Sequence, residues 1–282
     1  MSAKRLVVVS DLHAGCRVGL CPPRGVTLDD GGTYLASSLQ QKMWLMWRDF
    51  WDDFVPEATG GKRFDLVVNG DAIDGVHHGS TTQVSHNLAD QLRIATEILE
   101  PCVRRADDYY HVRGTEAHAG KSGATEEELA RSLGAICNGE GQAARFELWK
   151  LVGRHLVHVL HHVEGGGSSE STAILRELTD TYAESARWGR RPPDVIVRSH
   201  RHRYIKVEIP TGLSKGSERG REPTPVAACV VTPGWQGKTP YAWKIAGARL
   251  QTPQFGGIVI DGSGDDVVVR RRVWTVARSE PV

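Results

Sequence analysis

Two short segments constrain the fold more than anything else in the chain. Arg5-Leu-Val-Val-Val-Ser10 and Asp65-Leu-Val-Val-Asn-Gly70 each hold an unbroken apolar stretch, and each is followed at once by an acid, Asp11 or Asp71. A stretch that is apolar at every position, not at alternate ones, suits a strand buried on both faces, as in a parallel sheet covered by helices. The sequence between them supplies the crossover. From about Leu35 to Val55, Met43, Trp47, Phe50 and Phe54 recur at spacings of four, three and four, and Trp44 and Trp51 widen that face. The spacing predicts a helix that buries its tryptophans, not an exposed stacking platform. A helix predicted from about Val84 to Asp107 leads to a third strand, Tyr109 to Gly114. The first 114 residues therefore read strand, helix, strand, helix, strand, which implies parallel strands with crossover helices.

Beyond Gly114 the pattern changes. A helix is predicted near Thr125 to Cys137, then a hairpin of Arg145 to Val152 and His155 to Leu160 around Gly153-Arg154. A helix from about Ser171 to Trp188 and a strand from Asp194 to Ser199 follow. Tyr204 to Ile209 and Val226 to Thr232 read as strands joined by a polar loop at about 210–225, and Phe255 to Ile260 and Val267 to Val273 as closing strands. Gly15 to Gly32 reads as loop. With no solenoid-type repeat and no domain linker, one domain over 1–282 is expected.

Charge narrows the function classes. Thirty-five basic and 34 acidic side chains leave a net +1, so broad electrostatic capture of nucleic acid or of an anionic membrane is not indicated. No apolar run approaches the roughly 20 residues of a membrane span. Met1 to Val9 reads as a strand and not as a signal peptide. Five scattered cysteines, without C-x-x-C spacing, argue against a disulfide framework and a thiolate zinc site and lead to the expectation of a cytoplasmic protein. Histidine is the exception: there are twelve, and none lies in the last eighty residues.

Ligands of parallel α/β sheets gather at the carboxyl ends of strands. Those ends carry Asp11 and His13, Asp71 and Asp74, Glu116 and His118, His161 and His162, and His200 and His202. Any one pair occurs by chance; five in succession, each after a predicted strand, do not. Around them, Asp74 is expected to cap or orient a loop. His77 and His78 either line a substrate cleft or are simply exposed, and His111, His155 and His158 fall within strands. Arg113, Arg198, Arg201 and Arg203 are near enough to contact phosphate, but loop-end arginines are usually just solvated and receive no role.

In this order the motifs resemble those of the calcineurin-like metallophosphoesterases: D-x-H, G-D-x-x-D, G-N-H-[D/E], a lone His, and G-H-x-H. Here they are Asp11-Leu-His13, Gly70-Asp71-Ala-Ile-Asp74, Gly114-Thr-Glu-Ala-His118, His161-His162 and Ser199-His-Arg-His202, within residues 5–203. The resemblance implies a four-layer α/β/β/α sandwich of two mixed sheets flanked by helices, with residues 204–282 completing the second sheet. It also implies two divalent metals. Asp11, His13, Asp71 and His202 would hold the first; Asp71 would bridge to the second, completed by His200 and one of His161 and His162. As the first residue past the apolar run, His161 is favoured. The sequence departs from the pattern at Thr115, where the family has Asn, at His118, which lies two residues late, and at Ser199, where the family has Gly. Either His118 still reaches the acid position over a longer loop, or Glu116 or His118 becomes a ligand.

Imidazole and carboxylate together favour Mn, Fe, Zn or Ni. Two such ions, bridged by a carboxylate, can share a hydroxide and clamp phosphoryl oxygens, while His118 protonates the leaving group. The reading is thus a metal-dependent hydrolase of phosphate esters, with diesters favoured over monoesters. A nuclease is the alternative, with Lys215, Arg219 and Arg221 as its basic strip. A metal-binding module without turnover is another, prompted by the missing Asn.

Overall fold

The computed structural model describes residues 3–163, 169–212, 225–246 and 252–276. Strand β1 (Arg5–Val9) is followed by a loop bearing a small ribbon, β2 (Val26–Thr27) and β3 (Thr33–Tyr34). Helix α1 (Ser38–Asp49) starts at a capping box, in which Ser37 and Gln40 satisfy each other's backbone N–H. It continues through a π-helical turn (Phe50–Phe54) into α2 (Val55–Thr59) and stops at left-handed Gly60. Then come β4 (Asp65–Asn69), α3 (Leu88–Val103), β5 (Tyr109–Val112), α4 (Glu116–Ala119), α5 (Ala124–Ser132) and β6 (Ala144–Arg145). The second part holds β7 (Glu147–Val152), β8 (His155–Leu160), α6 (Glu170–Arg187), β9 (Val195–Arg198) and β10 (Ile205–Pro210). β11 (Val226–Val231), α7 (Pro240–Ala246), β12 (Gln254–Asp261) and β13 (Val268–Thr275) complete it.

The strands form two mixed sheets, ordered β13-β12-β1-β4-β5-β6 and β10-β11-β9-β8-β7, beside the two-stranded ribbon. β1, β4, β5 and β6 are parallel, as are β8, β9 and β11. One expectation needs correcting. Of the strands after residue 204, β10 and β11 join the second sheet, whereas β12 pairs antiparallel with β1 and β13 with β12 in the first. A tight approach fixes that placement: a Cβ on Gly257 of β12 would lie 2.7 Å from the Phe50 ring and 2.9 Å from the Val8 carbonyl.

Alternation along the strands makes the layers. Leu6 and Val8 of β1 join Val67, Val157, Val197, Val230 and Ile258 between the sheets. Val7 and Val9 face the other way, onto Met43, Trp47, Phe50, Ile94 and Ile98 of the helices. On the far face of the second sheet, Ile196, Cys229 and Val231 meet Ile174 and Leu178 of α6. The order is helix, sheet, sheet, helix, and each fully buried valine contributes roughly 1.5–3 kcal/mol. Of the tryptophans of the first helical stretch, Trp47 and Trp51 are buried in this core and Trp44 packs half-buried against it; Trp47 and Phe50 pack edge-on to Trp235, at 4.9 and 6.2 Å. The cysteines are free thiols, four of them buried. Among the described residues no helix is long and apolar enough to cross a membrane. Lys215, Arg219 and Arg221 lie outside the described residues.

Candidate metal centre

The carboxyl ends of β1, β4, β5, β8 and β9 converge, and the loops leaving them bend sharply. Among the described residues, six that are not glycine have positive φ: Asp11 (53°), His13 (46°), Asp71 (50°), His78 (50°), His200 (70°) and His202 (49°). Five of the six belong to the motifs. Left-handed backbone at non-glycine residues is strained and persists where the surroundings hold it, as at functional sites. Glycine is required beside them: a Cβ on Gly70 (φ 76°) would sit 2.4 Å from His161 Nδ1, and one on Gly114 2.2 Å from Asp71 Oδ1.

The convergence makes two groups able to hold a metal, Asp11 with His13 and His202, and Asp11 with Asp71, His161 and His200. Asp11 Oδ1 lies 3.3 Å from His202 Nε2 and 3.9 Å from His161 Nε2. His13 Nε2 is 3.2 Å from His202 Nε2. Asp71 Oδ2 lies 3.1 Å from His161 Nε2 and 3.9 Å from His200 Nδ1. The carboxylate common to both groups is thus Asp11, while Asp71 falls in one of them. The reason is local: Thr115 donates its backbone N–H (2.7 Å) and its hydroxyl (3.1 Å) to Asp71 Oδ1, turning that carboxylate toward His161. His162 is exposed, belongs to neither donor group, and has its ring 4.9 Å from that of His200.

Outer hydrogen bonds fix which nitrogen faces inward. His161 Nδ1–H donates to the Asn69 carbonyl (2.6 Å), and His13 Nδ1–H to Asp74 Oδ1 (3.2 Å), so both Nε2 lone pairs point into the site. Asp74 also accepts from Gln83 (2.7 Å) and Gln236 (3.0 Å), which makes it an orienting carboxylate. It forms a third group with His13 and His118. Four strand ends are tied by a buried chain of side chains: Ser10 to Thr232 (2.7 Å), Thr232 to Ser199 (2.7 Å) and Ser199 to Asn69 (2.6 Å). Ser199, a departure from the family pattern, is the middle of that chain.

Electrostatics follow from burying acids and imidazoles together. Burial lowers His13 to about 4. Burial also works against charge on His161, but the Asp71 carboxylate outweighs it and raises His161 to about 10. Asp11 likewise overcomes burial to raise His202. Burial pushes the acids up, yet His202 and then His161 bring Asp11 down to about 2. His161 and His118 hold Asp71 well below the carboxylate range.

In the third motif Glu116 opens α4 and joins neither group. A helical turn rises about 1.5 Å per residue against about 3.3 Å in a strand, so α4 takes up the two extra residues and brings His118 in. His118 Nε2 lies 4.0 Å from Asp71 Oδ2, and its Nδ1 meets the Asp74 carbonyl. His111, His155 and His158 are buried away from the groups. Three of the four arginines considered for phosphate are engaged elsewhere: Arg198 with Glu177, Arg203 with Glu170 and Arg113 with backbone carbonyls.

Sequence reasoning missed the loop after β11. Gly234 packs where a Cβ would meet Asp11 Cβ at 2.8 Å and His202 Cγ at 3.0 Å, and Trp235 N–H donates to the Asp11 carbonyl at 2.8 Å. Gln236 Nε2 reaches Asp74. None is a metal-type residue, so composition gave no signal.

A divalent cation fits this set. Asp11 belongs to both groups, its Oδ1 is buried and accepts no hydrogen bond among the described residues, and the donors mix imidazole with carboxylate.

No family model matches the chain, and the comparison with curated proteins found no match. Among solved structures, zinc-complexed Vps29 from Entamoeba histolytica is 12% identical, with 95% of this chain and 98% of that one covered at a TM-score of 0.40. A metallophosphoesterase from Sphaerobacter thermophilus is 10% identical, with 95% and 88% covered at 0.40. A Streptococcus pneumoniae protein described as a predicted phosphoesterase is 11% identical, with 96% and 99% covered at 0.31.

Proposed function

We propose that the chain is a metal-dependent phosphoesterase of the calcineurin-like type, acting on phosphodiesters with two divalent cations, manganese foremost among Mn, Fe, Zn and Ni. The observation that carries the reading is the convergence of four strand ends, those of β1, β4, β8 and β9, on two donor groups that share Asp11. Asp11, His13 and His202 would hold one cation, and Asp11, Asp71, His161 and His200 the other. When bound, the cations supply Lewis-acid charge to the phosphoryl oxygens and activate a water.

The chain's own residues do the rest. Asn69 and Asp74 fix the tautomers of His161 and His13, and Thr115 sets the rotation of Asp71. His118 is partly exposed, with Nδ1 held by the Asp74 carbonyl, so its Nε2 faces the site 4.0 Å from Asp71 Oδ2, placed to pass a proton to the leaving oxygen. Diesters are favoured because a monoester dianion calls for additional cationic partners, and Arg113, Arg198 and Arg203 are engaged elsewhere. Hydrolysis of bis-p-nitrophenyl phosphate and of p-nitrophenyl phosphate by manganese-loaded protein tests this. The diester is expected to be the better substrate; turnover of the monoester alone would contradict the diesterase reading. Bound metal with no turnover of either would favour a metal-binding module, the reading that Thr115 in place of Asn suggests.

A further inference from the structure

Of the six left-handed non-glycine residues, His78 is the one outside the donor groups. It is exposed, yet its ring is held: it stacks on Tyr241 of α7 with centroids 4.3 Å apart and planes at 16°. Its Nδ1 lies 2.9 Å from His77 Nδ1. The His77 ring is 4.4 Å from that of His118, which is itself 4.4 Å from His13. Ring contacts therefore run unbroken from the donor groups out to α7. There Tyr241 and Trp243 are 39% and 41% exposed. The Lys238 ammonium lies 4.2 Å over the Trp243 ring. A strained exposed residue stacked on one of two exposed aromatic rings marks a rim shaped to receive a planar group.

We propose that the rim formed by His78 and Tyr241 is the subsite for the nucleoside of a nucleotide phosphodiester, with the base stacked on Tyr241. The inference rests on the phosphoesterase reading, which puts the phosphoryl group at the other end of the ring series. A base presents a π-face to an aromatic side chain, and stacking of this kind tolerates any base. With a net charge of +1 the chain lacks the wide basic surface that long nucleic acid requires, so the grip is on one nucleotide and not on a strand.

Two diesters with the same leaving group isolate the subsite: thymidine 5′-p-nitrophenyl phosphate and methyl p-nitrophenyl phosphate. In manganese-loaded protein kcat/KM should favour the thymidine ester about tenfold, through KM, as one base–aromatic stack allows. The ratio should fall to about one in Tyr241→Ala and survive in Tyr241→Phe, which keeps the ring. A wild-type ratio near one, or a ratio untouched by Tyr241→Ala, overturns the subsite. Calorimetric binding of thymidine 5′-phosphate against methyl phosphate separates the two readings. An inert protein that still prefers the nucleotide about tenfold keeps the subsite and sinks the hydrolase. An active protein without the preference does the reverse, and an inert protein without it sinks both.

Discussion

Strand β4 has a buried acid at each end, and the two are handled in opposite ways. Asp65, at the start, pairs in register with Leu6 and so faces the layer between the sheets. Lys150 of β7 reaches it at 2.8 Å and also bonds the Tyr110 hydroxyl at 3.1 Å. The chain thus supplies its own counter-charge there. Asp71, two residues beyond the other end, and Asp11 beside it meet imidazoles and backbone or hydroxyl donors, with no lysine or arginine in either donor group. A buried acid neutralised from within the chain is structural, whereas acids left to titratable histidines make a site for an added cation.

The contrast can be broken experimentally, and replacing Asp71 should do it most severely. Asp71→Asn should reduce diester hydrolysis to background and lower metal content while the thermal midpoint is kept, because the change is isosteric and removes a buried charge. Normal turnover by that variant would end the account of the second donor group. His118→Ala comes next, with kcat expected to fall about 10²–10⁴-fold on an alkyl leaving group. The loss should be much smaller for p-nitrophenolate, which leaves without a proton; equal losses would mean that His118 is not the acid. At the other end of β4, Lys150→Met should cost about 3–5 kcal/mol of stability by stranding Asp65, with metal content unchanged. Adding Asp65→Leu should recover most of that cost in denaturant unfolding. If the double variant stays as unstable as the single, the pair is not acting as a pair.

The smallest expected effect concerns protons. In metal-free protein His161, raised to about 10 from 6.5 by the Asp71 carboxylate, is charged at neutral pH, and Asp11 shifts His202 in the same direction. The His161 contribution to metal-free stability is fully present below about 6.5 and is lost as pH rises through about 10. A cation must displace those protons, so metal affinity should increase with pH, and adding manganese to unbuffered protein near pH 7 should release protons. Uptake without release would contradict the assignment of His161 and His202 as ligands.

The sheet core and the donors were legible because each has a one-dimensional signal. Apolar runs marked β1 and β4, and acids and histidines stood directly after strands. What was not legible arises from packing. The pairing of β12 with β1 depends on Gly257 fitting under Phe50, across two hundred residues of sequence. The Ser10, Thr232, Ser199 and Asn69 chain joins four segments that no local pattern relates, so Ser199 looked like a mere departure from Gly. Gly234 and Gln236 act through shape and a second layer of hydrogen bonds, and residue type alone does not announce either. The helical turn of α4 turned an apparent mismatch at His118 into a matter of reach.

Return of metal to chelator-stripped protein tests the central claim most directly. Hydrolysis of bis-p-nitrophenyl phosphate is followed as manganese is added to wild-type protein. The account predicts no turnover in the stripped protein and full recovery as bound metal approaches two ions per chain. Undiminished turnover after stripping, or no turnover with manganese, iron, zinc or nickel bound, would contradict it.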